Sequence, residues 1–242
     1  MPDHDAPPPH LVATIWMHAS ASTWIFNVVR EIIIAALGDD RVLAFYTDKI
    51  EEIPAQAARA GRHLVIKSHH GSAALDAWLQ AEQARIFLSV RDPRDACISM
   101  SQRFKAPLEH SVRWIVNDCN RLLRLAPRGY PMLRYEDRFF DSPTAVGWVA
   151  QTLGLTVAPA TIEAIFNRYR TESVRSFAQH LAELPAERLT TVASFMMDRV
   201  SQILAPHIGD TSSGKWRGLP APLQAELTRL FGPFLDRFGY AR

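Results

Sequence analysis

Two side chains that could move a proton and stabilise an anion stand one residue apart. Lys67 and His69 belong to the segment VIKSHHG, residues 65–71, where a short β-rich run ends. Because side chains alternate along a strand, residues at i and i+2 point to the same side. A histidine placed there can act as a general base near neutral pH, and a neighbouring lysine can stabilise developing negative charge. The alternative interpretation is a pair of solvated surface residues.

A second segment, MHASASTW at residues 17–24, brings small hydroxyl side chains to the expected start of a helix. The free N–H groups and the positive dipole end of a helix N-terminus attract anions. Ser20, Ser22 and Thr23 would add hydroxyl donors to those of the backbone around Ala21. The segment does not match the triphosphate-binding loop GxxxxGK[ST]. An ordinary Ser/Thr-rich helix cap therefore remains the alternative.

A third segment, SVRDPRDACISM at residues 89–100, could bind a phosphate group. Arg91 ends a predicted strand, and its guanidinium can form paired hydrogen bonds to phosphate oxygens. Ser99 lies on the following helix and could donate a further hydrogen bond. The alternative use of this charge is a local salt bridge between Arg94 and Asp95, which contributes little if it is exposed.

A fourth segment, TSSGKWRG at residues 211–218, lies late in the chain. Gly214 allows a close backbone approach, and Lys215 and Arg217 bring positive charge. Trp216 could stack on a nucleotide base. A polar loop whose tryptophan is anchored in the core is an equally good interpretation.

These segments need a framework, and the hydrophobic pattern predicts one. Apolar and β-branched runs predict strands, and longer periodic runs predict helices between them. The predicted strands are residues 11–17, 41–46, 63–68, 85–91 and part of 130–137. The predicted helices are residues 22–37, 72–84 and 108–125, and a further helix begins at Asp92 and Pro93. Such alternation indicates an α/β fold with a mostly parallel sheet, whose ligands bind beyond the carboxyl ends of the strands. After residue 142 the pattern predicts helices almost throughout.

Composition limits the classes of function. The chain has 242 residues, 48% of them hydrophobic and 21% charged, which suits one domain over residues 11–242 after a flexible tail at residues 1–10. A net charge of +2 without a basic run argues against nucleic acid as a partner. Two cysteines without metal-ligand spacing predict no disulfide framework and no metal site. No signal peptide or membrane span is evident, so we expect a cytoplasmic protein.

Taken together, and in this order, the segments resemble the family of PAPS-dependent sulfotransferases. PAPS is 3'-phosphoadenosine 5'-phosphosulfate, the sulfuryl donor. HASASTW at 18–24 is similar to the family's PKSGTTW, and KSH at 67–69 is similar to KTH. RDPRDACIS at 91–99 fits R-x-P-x-D-x-x-x-S in full. YED at 135–137 and GKWR at 214–217 match the remaining elements.

The resemblance spans roughly residues 11–240, and the closing FLDRFGY is similar to bacterial members. It implies a P-loop-like, three-layer α/β/α fold with a central, mostly parallel sheet and a helical C-terminal half. It also implies PAPS as co-substrate, PAP as product, no metal, and a small-molecule acceptor. The resemblance leaves open whether the protein forms a homodimer.

The resemblance also implies roles for single residues. Ser22 and Thr23 would bind the 5'-phosphosulfate together with the loop backbone, and Trp24 and Tyr135 would contact the adenine. Arg91 and Ser99 would hold the 3'-phosphate. Lys67 would contact the transferring sulfuryl group, and His69 would take the proton of the acceptor. His70 is the nearest competitor, but strand alternation puts it opposite Lys67.

Two departures from the family pattern bear on catalysis. Ala19 stands where the family has a lysine that contacts the phosphosulfate bridge, and Ala21 stands where it has a glycine. Losing such a contact would cost on the order of 2–4 kcal/mol of transition-state stabilisation. Upstream of Gly214 the family's RKG is replaced by residues 209–211, so that Thr211, Ser212 and Ser213 would donate hydrogen bonds instead.

Three functions follow from these residues. The first is an active sulfotransferase whose acceptor pocket is formed by residues 103–114 and 159–205. The second is a PAP-binding or nucleotide-binding protein, or a weakened enzyme, on the same fold, because the loop lysine is missing. The third is a nucleotide kinase on a related fold, which the missing Gly-Lys pair disfavours.

Overall fold

The structure is a computed structural model and describes residues 10–53, 61–192, 194–206 and 208–242. Residues 1–9 of the predicted tail lie outside the described residues. The strands are β1 Leu11–Trp16, β2 Val42–Tyr46, β3 His63–Ser68, β4 Arg85–Val90, β5 Met132–Arg134, β6 Leu189–Val192 and β7 Phe195–Asp198. The helices are α1 Ser22–Leu37, α2 Ala73–Ala81, α3 Pro93–Phe104, α4 Leu108–Leu125, α5 Pro143–Thr152, α6 Pro159–Tyr169, α7 Thr171–Gln179, α8 Ala221–Leu230 and α9 Gly232–Phe238.

The central sheet has five strands in the order β2-β3-β1-β4-β5. Every neighbouring pair is parallel, which confirms the predicted α/β class and sheet. β1 lies between β3 and β4, so the loops that follow these three strands leave the same edge of the sheet side by side. This is the edge at which doubly wound sheets bind ligands.

Helices cover both faces of the sheet, as a three-layer architecture requires. Leu11, Ala13 and Ile15 of β1 face a core shared with α2, α3, α4, α8 and α9. Val12 and Trp16 face the other core, shared with α1, α5, α6 and α7. The alternation along β1 therefore divides its side chains between two layers.

Local sequence signals set several helix ends as expected. α1 has the predicted bounds, and Gly38 follows it with a positive φ of 101°. The Ser72 hydroxyl accepts a hydrogen bond from the Leu75 amide at the start of α2. Asp92 caps α3 in the same way, and Pro93 occupies the first helical position.

The prediction of almost continuous helix after residue 142 is wrong between α7 and α8, because the described residues of 180–220 contain no α-helix. Strands β6 and β7 pair as an antiparallel hairpin, Leu189–Val192 against Phe195–Asp198. Its sequence LTTV is rich in β-branched residues, and Asp198, fully buried, accepts hydrogen bonds from the Arg188 side chain and from Ser201. Within the described residues no helix is both long enough and apolar enough to cross a membrane.

Candidate functional site

A cavity of about 360 Å³ opens where α1, α3 and the helical second half meet the carboxyl edge of the sheet. Four cationic residues line it, and no acidic residue is among its described lining residues. We call it the cationic cavity. Its charged and hydrogen-bonding lining residues are Thr23, Asn27, Arg91, Ser99, Gln102, Arg103, Lys105, Thr171, Thr211 and Lys215, and its aromatic ones are Trp24, Tyr135, Phe140 and Tyr169.

Arg91 directly follows β4 and is a firmly positioned cation of the cavity. It is 2% exposed, and its guanidinium donates to the carbonyl oxygens of Ala19 at 2.9 Å and Ser212 at 2.8 Å. The guanidinium carbon also lies 3.9 Å from the centre of the Tyr135 ring. The Nε donor is buried without a partner. Arg91 is thus held rigidly while it keeps one donor unused.

Arg103 is a second guanidinium that the sequence interpretation missed. It follows Ser99 by four residues on α3, so both side chains lie on one face of that helix. Burial, and next the positive charge of Arg91, lower the pKa of Arg103 to about 10. In the described part of the chain, no carboxylate lies within 4.0 Å of either guanidinium. Two cations held together without a counter-ion form a site for an anion.

The segment that contains Lys215 closes the cavity from the other side. The Lys215 ammonium lies 3.4 Å from the Ser99 hydroxyl and forms an ion pair at 2.6 Å with the exposed Asp210. Asp95 on α3 accepts hydrogen bonds from the backbone N–H groups of Gly214 and Trp216, which fixes this segment to the first turn of α3. Of the predicted residues in this segment, Thr211 and Lys215 line the cavity, whereas Ser213, Gly214 and Trp216 do not.

Trp216 and Arg94 have a packing role in the fold. Trp216 is 8% exposed, and the Arg94 guanidinium lies 3.6 Å from its ring centre. Arg94 forms an ion pair with Asp92 at 2.7 Å and not with Asp95, so the local salt bridge weighed from the sequence is not formed.

The loop before α1 has an unusual backbone. Ala19 and Ala21 have φ values of 59° and 62°, in the left-handed region that favours glycine. The Ser20 hydroxyl points inward, where it donates to the Met17 carbonyl at 2.6 Å and contacts Ser89. Thr23, by contrast, lines the cavity. The turn brings the carbonyl of Ala19 to Arg91.

Lys67 supplies charge next to this loop. It is 6% exposed, and its ammonium donates to the Thr23 hydroxyl at 2.8 Å. Burial, and next the positive charge of Arg103, lower the pKa of Lys67 to about 7. A lysine with this pKa gains a proton readily when an anion arrives beside it. Lys67 is therefore the nearest replacement for the cation that Ala19 lacks.

His69 lies just beyond the end of β3, next to Lys67 in space as well as in sequence. Its Nδ1 lies 3.3 Å from the Trp16 carbonyl oxygen, which can only accept. Nδ1 therefore carries the hydrogen, and the Nε2 lone pair can accept a proton. Burial, followed by the charges of His18, Lys67 and His70, lowers the pKa of His69 well below its usual value. His69 is neutral at pH 7, as a general base must be, and it does not line the cationic cavity.

Hydrogen bonds hold the His69 backbone from both sides. Asp48 accepts from the His69 N–H at 2.9 Å and from the Ser68 hydroxyl at 2.8 Å. Arg121 donates to the His69 carbonyl at 3.0 Å, and a side chain at Gly71 would collide with the Arg121 guanidinium. The position of His69 is thus fixed by Asp48 and Arg121, which the spacing of residues in the sequence did not indicate.

Aromatic side chains lie near His69 on the side away from the cationic cavity. Tyr46 is 45% exposed with its ring centre 6.0 Å from that of His69, and Trp114 is 44% exposed and 5.9 Å from His18. Phe104 contacts Trp114 and also Phe195 of the hairpin. Within the expected acceptor segment 103–114, Phe104 and Trp114 are therefore the aromatic residues that pack together, with Phe195 beside them. Phe166 and Phe177, from the second expected acceptor segment at 159–205, pack against the core on the α1 side.

Comparison with known proteins was made by sequence and by structure. No family model matches the chain, and no curated protein matches it by sequence. Mouse sulfotransferase SULT7A1 in complex with PAP superposes with a TM-score of 0.66 at 13% identity, over 93% of this chain and 83% of the other. This chain has the sulfotransferase fold.

Two structures of retinol dehydratase are also similar. The complex with retinol and PAP gives a TM-score of 0.58 at 13% identity, over 96% of this chain and 82% of that one. The complex with androsterone and inactive cofactor PAP gives 0.56 at 14% identity, with the same coverage. The P-loop-like, three-layer α/β/α prediction is confirmed by these likenesses and by the parallel sheet.

Proposed function

We propose that this protein transfers the sulfuryl group of PAPS to a hydroxyl or amine of a small molecule. The observation that supports it most is the cationic cavity, in which Arg91 and Arg103 lie together without an acidic partner among the described residues. A nucleotide with a 3'-phosphate supplies the anion that this pair lacks. PAP, the ligand in the similar structures, is such a nucleotide.

The residues of the cavity fit the two ends of this donor. Arg91, with its unused Nε donor, and Arg103 would hold the 3'-phosphate, and Ser99 and Lys215 would add hydrogen bonds. Trp24, Tyr135 and Phe140 would contact the adenine. The 5' end would extend to Thr23 and to the loop backbone.

Lys67 and His69 would carry out the transfer. His69 Nε2 accepts the proton of the acceptor O–H or N–H as that oxygen or nitrogen attacks sulfur. The bond between sulfur and the bridging oxygen of PAPS breaks, and PAP leaves with the electron pair. Lys67, protonated by the arrival of the anion, stabilises the charge that develops on the leaving side. In-line transfer of this kind depends on positioning and charge.

The acceptor would be an apolar or aromatic molecule. Retinol dehydratase was crystallised with retinol and with androsterone, both bound together with PAP. In this chain the exposed Tyr46 and Trp114, with the half-buried Phe104 beside Trp114, form an aromatic rim near His69. We propose that this rim binds the acceptor and that the protein works in the cytoplasm.

A second candidate keeps the binding site without efficient transfer. Ala19 leaves the first loop without its own cation, so the chain could hold PAP or another nucleotide and transfer sulfuryl slowly. Release of PAP in the presence of acceptors separates this candidate from the first.

Calorimetric titration with PAP, and with ADP as the comparison, tests the donor site. We expect PAP to bind at least about 10-fold more tightly, because ADP lacks the 3'-phosphate that two guanidiniums would hold. Equal affinity for PAP and ADP would reject the donor assignment. After PAP binding is established, PAP release from PAPS is measured over a panel of phenols and alcohols.

A further inference from the structure

A buried carboxylate lies next to two histidines on the outer side of His69. Asp118 is 0% exposed and belongs to the apolar face of α4, with Ile115 and Leu122 one turn away on either side. His18 follows β1 and His70 follows β3. The three side chains thus come from three distant segments that the parallel sheet brings together.

One oxygen of the carboxylate is fixed and the other is available. Asp118 Oδ2 accepts hydrogen bonds from the His18 backbone N–H at 2.7 Å and lies 2.8 Å from its Nδ1. Asp118 Oδ1 is buried without a hydrogen-bond partner, and His70 Nδ1 lies 3.4 Å from it. A buried carboxylate oxygen without a partner is costly, so this atom points to a ligand.

The three side chains can offer ligand atoms that all lie within 4.8 Å of one another. In a tetrahedral zinc site with bonds of about 2.0–2.2 Å, ligand atoms are on the order of 3–3.5 Å apart, so small side-chain rotations suffice. We propose that His18, His70 and Asp118 bind one divalent transition-metal ion of the zinc class. Two imidazole nitrogens and one carboxylate oxygen suit zinc, cobalt or nickel, whereas calcium and magnesium prefer oxygen ligands.

The surroundings support this assignment. The side chain of His18 is 19% exposed and that of His70 is 32% exposed, so an ion and a fourth ligand, water, can reach the site from solvent. The His18 backbone N–H holds Oδ2, which orients the carboxylate, as outer hydrogen bonds do in metal sites. The nearby Arg121 already donates to Asp76 at 2.6 Å, so it does not occupy the carboxylate of Asp118.

The proposal does not depend on sulfuryl transfer. It rests on ligand chemistry, and the spacing of 18, 70 and 118 in the sequence gave no metal-binding pattern. The ion would nevertheless lie close to the proposed base, because the His18 and His69 rings stack with centres 3.9 Å apart.

Zinc titration of the full chain, after treatment with a chelator, tests the site. We expect one equivalent of Zn²⁺ to bind, and Co²⁺ to give the intense visible absorption of a four-coordinate ion. His70→Ala and Asp118→Asn should each weaken Zn²⁺ binding by at least about 10-fold, since even outer-shell changes cost that much. Mg²⁺ should not compete.

Two controls keep the outcome decisive. His110→Ala removes an exposed histidine from the first turn of the same helix and should leave Zn²⁺ affinity unchanged. If Asp118→Asn fails to fold by circular dichroism, His70→Ala at the partly exposed position decides. Failure of the wild type to bind Zn²⁺, or equal affinity in His70→Ala and His110→Ala, would show that the carboxylate binds a histidine proton instead and would overturn the proposal.

Discussion

Two guanidiniums without an acid are the residue-scale feature that most constrains function. Proteins seldom bury a charge unless it is paired, because desolvation is costly. Arg91 is 2% exposed, yet its partners are two carbonyl oxygens and the face of Tyr135. Arg103 lines the same cavity. The arrangement is therefore organised for an incoming anion.

Arg91→Met and Arg103→Met should each weaken PAP binding by about 10- to 100-fold, because a hydrogen bond to a charged group contributes about 1.5–3 kcal/mol. Adenosine 5'-phosphate, which has no 3'-phosphate, should lose much less affinity. Calorimetry with both ligands measures the difference, and Arg113→Met, at an exposed position on α4, is the control. Equal losses for the two ligands would mean that neither arginine recognises the 3'-phosphate.

His69→Ala should lower turnover by at least about 100-fold, as removal of a general base does, while PAP affinity stays nearly unchanged. The reason is positional, since His69 is close to Lys67 but does not line the cationic cavity. PAP release with an acceptor and PAP titration give the two readings. Turnover above about a tenth of the wild-type value would remove His69 from the mechanism.

The sequence allowed prediction of the site residues at the carboxyl ends of strands. Lys67, near the end of β3, and Arg91, just after β4, are such residues, because a parallel sheet gathers the ends of its strands. Arg103 lies inside a helix, and only its spacing of four residues from Ser99 could have indicated it. Asp118 could not be predicted as a site residue, for a different reason. Its neighbours in the sequence predict a helix, and its histidine partners are distant along the chain.

At the scale of elements, the loop between β1 and α1 shows how substitution and backbone geometry interact. The left-handed φ of 62° at Ala21 costs a residue with a Cβ roughly 1–2 kcal/mol relative to glycine. The sulfotransferase pattern has glycine at this position. The loop therefore has the left-handed backbone that glycine adopts most easily, although alanine occupies position 21.

Ala21→Gly should stabilise the protein by about 0.5–1 kcal/mol, because relief of strain exceeds the loss of one partly buried methyl group. That gain corresponds to a rise in Tm of about 1–4 °C for a chain of this size. Thermal unfolding measures it. Ala164→Gly, at an exposed position inside α6, should instead lose about 1 kcal/mol. Destabilisation of both variants to the same extent would contradict the strain at Ala21.

Helices and strands in the first 140 residues were predictable from periodicity and capping residues. The hairpin of β6 and β7 was not, because strands of four residues each are too short for a period to show. Hydrogen bonds of the buried Asp198 with Arg188 and Ser201 hold its two ends together. Phe195 of this hairpin contacts Phe104, so the missed element belongs to the acceptor side.

At the scale of the whole molecule, the order of the strands determines where the chemistry lies. The strand order places β1 between β3 and β4, so Thr23, Lys67 and Arg91 come from three segments to one edge. The net charge of +2 does not indicate that cations gather at this edge of the sheet. The fold could be predicted from the pattern, whereas the burial of Lys67 could not, because it depends on both neighbouring layers.

The buried Lys67 should make stability depend on pH. Its pKa is lowered from 10.5 to about 7 in the folded protein, so between these values the unfolded chain carries a proton that the native protein lacks. Stability therefore rises with pH across this window, and the full cost of the buried charge is present below about pH 7.

Urea unfolding of wild type and Lys67→Met at about pH 6, 8 and 9.5 should show that the free energy of unfolding of the wild type increases relative to that of the variant as pH rises. Lys49→Met, at a side chain that is 69% exposed, should show no such trend, and parallel curves for all three proteins would refute the lowered pKa. Saturating PAP should flatten the wild-type trend, because an anion next to Lys67 restores its proton.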